Sequence, residues 1–200
     1  MDYQKIFEFY RRITGIALTE DEWSQFMSLG VKREIKKKEF FCRSGDDFRY
    51  FAIVLKGLFR LYYLGSDGKE YIKNFRSEWE VIGPYAEILQ NVKVRTYIEA
   101  VEDSTILVFP YDEFTKLYRA NPHWMELGNY VNEVNYIEKE EKEFNFLQLS
   151  ATERYLKFQN AFSHIANRIP QYFVASYLGI TPVALSRIVK KLKDKKEDQS

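Results

Sequence analysis

The pattern of hydrophobic residues predicts a run of short strands between about Val31 and Pro110. Apolar and aromatic runs recur there with glycines between them, namely FRYFAIVL, LFRLYYL, EYIKNF, RTYIEAV and TILVF. Runs of this length, rich in β-branched and aromatic residues, are typical of strands. The tetrapeptide GSDG separates the second and third runs and predicts a hairpin, because Asp67-Gly68 tolerates the positive φ of a tight turn. The segment is therefore expected to form an antiparallel roll of jelly-roll type.

Helical patterns lie on both sides of this segment. Before it, Thr19 followed by Glu22 forms a capping box that opens a helix. After it, a short helix is expected over residues 112–120, where Asn121-Pro122 ends it, and a longer helix from Trp124 to about Leu147. The chain is thus expected to be an α+β protein.

The longer helix has one apolar stripe, formed by Leu127, Tyr130, Val131, Val134 and Ile137 at three- and four-residue steps. Two interpretations stay open at this point. The stripe can pair with a second copy of the chain, or it can pack on the roll of its own chain. The polar run EKEEKE at residues 138–143 marks where the helix is expected to leave its partner.

A domain boundary is expected near residue 149. A second capping box, formed by Ser150 and Glu153, opens another helix there. Residues 1–148 are interpreted as the N-terminal helices, roll and long helix, and residues 149–200 as a small helical domain. This smaller part is basic: from residue 150 it has nine Lys/Arg against four acidic residues, or +5, while the remainder has 21 against 25, or −4. A basic C-terminal quarter on an acidic body fits a nucleic-acid-binding unit.

The segment QYFVASYLGITPVALSRIVK at residues 171–190 predicts a helix-turn-helix. Two helices that cross closely need a small residue at the contact, which Ala175 supplies, and the turn needs a residue that accepts positive φ, which Gly179 supplies. Thr181 can cap the second helix, with Pro182 in its first turn. Leu185, Ile188, Val189 and Leu192 form the stripe that faces the core. An ordinary helical hairpin is the competing interpretation.

The opposite face of that second helix is left free to enter a major groove of DNA. The residues expected to contact DNA are Gln171, Thr181, Pro182, Val183, Ser186, Arg187, Lys190 and Lys191.

Other chemistry has little support in the sequence. A single cysteine, Cys42, excludes a disulfide framework and a cysteine-held zinc or iron–sulfur site within one chain. His123 and His164 are far apart and have no carboxylate at metal-ligand spacing. No metal, cofactor or catalytic residue is therefore expected, and an enzyme built on a cupin-like roll is disfavoured because neither histidine lies in the roll segment. The chain has no apolar stretch of membrane-spanning length, so a cytoplasmic protein is expected.

Over nearly its full length the sequence resembles the CRP/FNR superfamily of bacterial transcription regulators. The resemblance is carried by VLKGLFRLYYLGSDGKEYIKNF, VIGPYAEI, YIEAVEDSTILVFPYDEF and YLGITPVALSRIVKKL. It implies a cyclic-nucleotide-binding-like β-roll as sensor domain, a long dimerisation helix and a C-terminal helix-turn-helix. The partners it implies are operator DNA, a second copy of the chain, RNA polymerase and a small-molecule effector, with no membrane.

Two departures from the family change what the resemblance implies. Members that bind cyclic AMP use a Gly-Glu pair for the ribose and an Arg-Ser pair for the phosphate, whereas here Pro84 follows Gly83 and Arg95 falls one place late. Cyclic AMP is therefore not the expected effector. The residues expected to bind an effector are Gly83, Glu87, Arg95, Thr96 and Tyr97, and the alternative for Glu87 and Arg95 is an ion pair without a ligand.

The second departure lies in the recognition helix. The best-known members place Arg and Glu, which read guanine and cytosine edges, where this chain has Pro182 and Val183. Arg187 matches an arginine that contacts bases or phosphates in the family. A different operator is expected, with an apolar contact from Val183 to a thymine methyl group. A ligand-binding module whose C-terminal helices contact a protein partner is the competing function.

Overall fold

The roll consists of two four-stranded antiparallel sheets in a computed structural model that describes residues 3–197, with side chains to residue 194; residues 1–2 and 198–200 of the expected domains lie outside it. The first sheet has the order β1-β8-β3-β6 and the second β2-β7-β4-β5. The strands are β1 (Val31–Ile35), β2 (Phe40–Cys42), β3 (Tyr50–Lys56), β4 (Phe59–Leu64), β5 (Glu70–Arg76), β6 (Val81–Ile82), β7 (Tyr97–Ala100) and β8 (Ser104–Pro110). The expected fold class is confirmed.

Strand alternation places one apolar set inside the roll and another outside it. In β3, Ala52 and Val54 face the interior of the roll, where they meet Phe59 and Leu61 of β4. Ile53 lies on the other face of the same strand and packs against the N-terminal helices. Strand β3 therefore has buried residues on both faces, and Cys42 is a small buried residue in the interior of the roll.

The helices surround the roll in the expected order. They are α1 (Tyr3–Thr14), α2 (Glu20–Ser28), α3 (Tyr85–Gln90), α4 (Tyr111–Ala120), α5 (Pro122–Gln148), α6 (Ala151–Ala161), α7 (Gln171–Tyr177) and α8 (Pro182–Glu197), with a 3₁₀ turn at Ala166–Arg168. Both capping boxes form, at Thr19–Glu22 before α2 and at Ser150–Glu153 before α6. The short helix α3, inside the roll segment, is an element that the sequence did not predict.

The long helix α5 has a buried beginning and an exposed end. Trp124 and Leu127 pack in the core with α1, α2 and the outer face of the roll. Farther along, Ile137 is 59% exposed and Phe144 is 53% exposed. Only the first part of the apolar stripe thus packs on its own chain, and the rest is left uncovered.

Within the described residues, no single helix is long and apolar enough to cross a membrane. Taken together, α7 and α8 are long and apolar enough by length and composition alone, but the two helices are bent by 101° at the turn between them.

Candidate nucleic-acid interface

Helix α7 is short and is held by its buried face. Phe173, Val174 and Ala175 are buried in a core that α6, α7, α8 and the roll share. Ala175 has no exposed surface, as expected for a small residue at a close helix contact. Gln171, at the start of α7, is exposed.

The turn after α7 has the geometry of a helix-turn-helix. Gly179 has φ +68° and its N–H donates to the carbonyl of Ser176 at 3.1 Å, while the N–H of Ile180 donates to the carbonyl of Ala175 at 3.0 Å. These two bonds form a Schellman motif, which ends a helix with a left-handed residue. A Cβ at Gly179 would also lie 2.7 Å from Cε1 of Phe146. The 101° bend between α7 and α8 lies in the range of helix-turn-helix units.

Helix α8 begins with the expected cap. The Thr181 hydroxyl accepts the N–H of Ala184 at 3.1 Å, and Pro182 is the first helical residue, where a missing N–H leaves no bond unmade. Leu185 is 1% exposed and anchors the inner face. The other inner residues, Ile188, Val189 and Leu192, are half-buried against the same core.

The outer face of α8 is open to solvent along its described length. All the residues of this face that were predicted to contact DNA are exposed, namely Thr181, Pro182, Val183, Ser186, Arg187, Lys190 and Lys191. Lys193 is exposed as well and, at about 100° per residue, projects within this arc; the sequence reasoning missed it. Its signal was available, because residue 193 is three positions after Lys190.

The cations of this face differ from Lys157 and Arg168 of the same C-terminal part. Lys157 pairs with Glu141, and Arg168 pairs with Glu78 and Glu102. Among the residues whose side chains the structure describes, Arg187 and Lys190 make no ion pair. The +5 of the sequence is thus partly neutralised, and the outer face of α8 retains cations that can contact phosphate.

The residues expected to bind an effector are only partly brought together. Glu87 of α3 is buried, and its Oε1 accepts from the Thr96 hydroxyl at 3.3 Å and from Nε of Arg95 at 3.4 Å. Gly83 lies before α3, where a Cβ would be 3.0 Å from Cβ of Phe51. Tyr97 lies apart from Glu87: its ring stacks on Tyr62 with centroids 5.1 Å apart, next to the shared core with α7.

A large groove lies between the roll and α5, with a volume of about 1710 Å³. Gly83 lines it, together with polar residues of β5 and α5 that the sequence analysis did not assign to an effector site. Arg76 of β5 donates to Oδ1 of Asn135 at 2.9 Å and to Oε2 of Glu138 at 2.6 Å, both in α5. At this groove the buried Arg76, and not the Glu87 cluster, therefore joins the roll to α5.

The described residues do not form a set of metal ligands. No group of three or more His, Cys, Asp or Glu side chains that could hold a metal ion occurs in the described part of the chain. His123 instead contacts Glu22 of the α2 capping box, with Nδ1 3.0 Å from Oε1.

Comparison with known proteins supports the resemblance inferred from the sequence. Residues 32–121 match the family model of the cyclic nucleotide-binding domain. No curated protein sequence gives a significant match.

Solved structures with a similar fold cover almost the whole chain. CLP of Xanthomonas campestris, described as a c-di-GMP-responsive global regulator, is 14% identical, with 89% of this chain and 93% of that one covered and a TM-score of 0.73. FixK2 of Bradyrhizobium japonicum is 20% identical, with 84% and 86% covered and a TM-score of 0.72. The catabolite activator protein of Thermus thermophilus is 18% identical, with 90% and 86% covered and a TM-score of 0.56. The chain thus shares the fold of these three proteins, and its roll segment is similar to a cyclic nucleotide-binding domain.

Proposed function

We propose that the chain, which has the CRP/FNR fold, is a cytoplasmic, sequence-specific transcription regulator that reads duplex DNA through α8. The observation that carries this proposal is the outer face of α8, which is exposed and cationic at the end of a turn with helix-turn-helix geometry. A helix in this position enters the major groove with its N-terminal residues on base edges. The chain is proposed to act as a regulator rather than an enzyme.

The proposed contacts follow from position along α8. Val183 is 61% exposed in the first turn and can meet a thymine methyl group. Arg187 lies one turn beyond it and can reach a base edge, while Lys190 lies almost another turn along and meets backbone phosphate. Thr181, Pro182, Ser186 and Lys191 complete the interface, and Gln171 approaches the backbone from α7.

The proposed assembly is a two-fold homodimer through α5, because a single helix-turn-helix offers little surface for tight specific binding. RNA polymerase and an unidentified small-molecule effector complete the set of proposed partners. The Glu87, Arg95 and Thr96 cluster is proposed as part of the effector region.

Binding to duplex DNA of arbitrary sequence, measured as a function of salt, separates this proposal from a module that contacts only a protein partner. If Arg187, Lys190 and Lys191 of both copies each meet a phosphate, the log–log slope of affinity against salt should be on the order of −5. Lys116→Ala, which removes an exposed lysine of α4, is the control and should keep that slope. The absence of duplex binding even at low salt would contradict the proposed function.

A further inference from the structure

Strand β5 lies at the edge of its sheet, so one of its sides has no neighbouring strand. Side chains from two helices form hydrogen bonds with backbone groups on that side. Ser176 of α7 accepts the N–H of Ile72 at 3.2 Å and donates to the carbonyl of Glu70 at 2.6 Å. Lys142 of α5 donates to the carbonyls of Ile72 and Lys73 at 2.9 and 2.8 Å. These backbone groups of the exposed edge thus find hydrogen-bond partners in α7 and α5.

An ion-pair cluster makes a second contact between the helix-turn-helix and the roll. Arg168, just before α7, has Nη1 and Nη2 each 2.9 Å from a carboxylate oxygen of Glu78, and Nη2 also lies 2.5 Å from Oε1 of Glu102. The two glutamates come from different loops, after β5 and after β7. Glu78 is itself fixed, because its Oε1 accepts the N–H of Gly57 at 2.8 Å.

A stacked arginine makes the third contact. The guanidinium of Arg60 lies between the ring of Tyr62, at 4.2 Å, and the ring of Phe173 in α7, at 4.1 Å. Glu70 and Glu99 bind the same guanidinium from the roll. The buried cation is therefore held by the roll and presents a flat face to α7.

We propose that these groups form a docking face on the roll that fixes the orientation of the helix-turn-helix. We call it the β5 docking face and define it by Arg60, Glu70, Ile72, Glu78 and Glu102. It contacts α7 and the turn before it and leaves the outer face of α8 uncovered, so it orients the recognition helix without blocking it. Because α5 and α7 both bind β5 at Ile72, a displacement of α5 or β5 acts on the helix-turn-helix directly.

The consequence for DNA binding rests on the proposed function. A recognition helix held in one orientation loses less conformational freedom when it binds, and it keeps the two half-sites of a dimer at a defined spacing. Release of α7 from the β5 docking face should therefore weaken specific binding, although every residue on the outer face of α8 remains.

The first test does not involve DNA. Hydrogen–deuterium exchange of the full chain is measured for wild type, Arg168→Gln, Ser176→Ala and Glu102→Gln, the last altered only on the roll side. We expect amides of α7 and the Ile72 amide to exchange at least about tenfold faster in the variants, as in local opening, while amides of β3 and β8 stay protected. The matched controls are Lys157→Gln, an exposed cation of α6, and Ser163→Ala, an exposed serine; both should exchange like wild type.

The second test uses a duplex selected from a random library by the wild-type chain. The three variants should bind it about tenfold more weakly, and the controls as wild type does. Unchanged exchange in Glu102→Gln and Ser176→Ala would overturn the proposal, and so would faster exchange with unchanged affinity for the duplex. If wild type selects no duplex, the proposed function fails, and the exchange result alone decides whether the β5 docking face fixes α7.

Discussion

At the scale of single residues, Glu87 bears directly on the effector. It is the first carboxylate after Gly83 and Pro84, and it points into the protein, where Thr96 and Arg95 already bind it. A carboxylate with 3% of its side chain exposed is not free to accept ribose hydroxyls, whereas Arg95 contacts it only through Nε, at 3.4 Å, and leaves 60% of its own side chain exposed.

We therefore predict that cyclic AMP does not bind specifically. Calorimetric titration of the full chain with cyclic AMP should give no more heat than titration with adenosine 5′-monophosphate, which serves as the control. An affinity for cyclic AMP that is micromolar or tighter would contradict the prediction.

Individual residues were predictable where their role is local. Gly179 and Thr181 could be assigned because a left-handed turn residue and a helix cap depend on a few neighbouring positions. Ser176 and Arg168 could not, because their partners are about 100 and 66 to 90 residues away. The sequence does not indicate which distant backbone group or carboxylate will meet them.

At the scale of elements, Lys142 links α5 to β5 and α7. Its Nζ lies 4.1 Å from the ring centroid of Tyr177, and burial, together with the nearby Lys73, lowers its pKa to about 8. The ammonium group is thus less favourable in the folded chain than in the unfolded chain, whose lysine has a pKa near 10.5.

We predict a pH-dependent contribution of Lys142 to stability. Between pH 8 and about 10.5 the unfolded chain holds the proton and the folded chain does not, so this group raises the free energy of unfolding as pH rises. Denaturant unfolding of wild type and Lys142→Met at several pH values should show the difference shifting towards wild type in that window. A difference that stays constant from pH 7 to pH 10.5 would contradict this account; Lys116→Met controls for the loss of one charge.

Helices and strands were predicted where their own sequence contains a hydrophobic pattern or a cap. All five predicted strands and both capping boxes were found, because alternation and helix caps depend on residues that are contiguous in the sequence. Strands β1, β2 and β6 and helix α3 were missed. β1 has four exposed residues out of five and exists through its pairing with β8, and α3 is a six-residue helix without a side-chain cap. Tertiary pairing decided these elements.

At the scale of the whole molecule, the uncovered half of α5 bears on assembly. Ile137, Phe144 and Leu147 are 59%, 53% and 73% exposed on this helix. The sequence left open whether the stripe packs on its own roll or on a second copy. Because Leu127 is buried and Ile137 is exposed, only the beginning of the stripe packs on its own chain. The rest of the stripe is left uncovered.

We predict a homodimer through α5. Sedimentation equilibrium at micromolar concentration should give twice the 23.9 kDa of one chain, because burial of this exposed apolar surface favours association. Ile137→Glu should shift the chain towards the monomer, whereas Val31→Glu, an equally drastic change at an exposed residue of β1, should not. A wild-type mass of one chain, unchanged by a selected duplex, would contradict the prediction.

The overall architecture was predictable because a roll, a long helix and a helix-turn-helix follow one another along the chain. The contact between the roll and the helix-turn-helix was not, since it joins β5 to residues about a hundred positions later.

The central claim, that α8 is a DNA recognition helix, is tested most directly by binding of Arg187→Ala and Lys190→Ala. Each is measured against a duplex that wild type selects and against its single-base variants. Arg187→Ala should cost roughly 1–3 kcal/mol and relax preference at one base pair, because a bidentate base contact is lost. Lys190→Ala should weaken all sequences alike and lower the salt slope by about one per contact. If neither substitution weakens binding to any duplex, α8 is not the recognition helix.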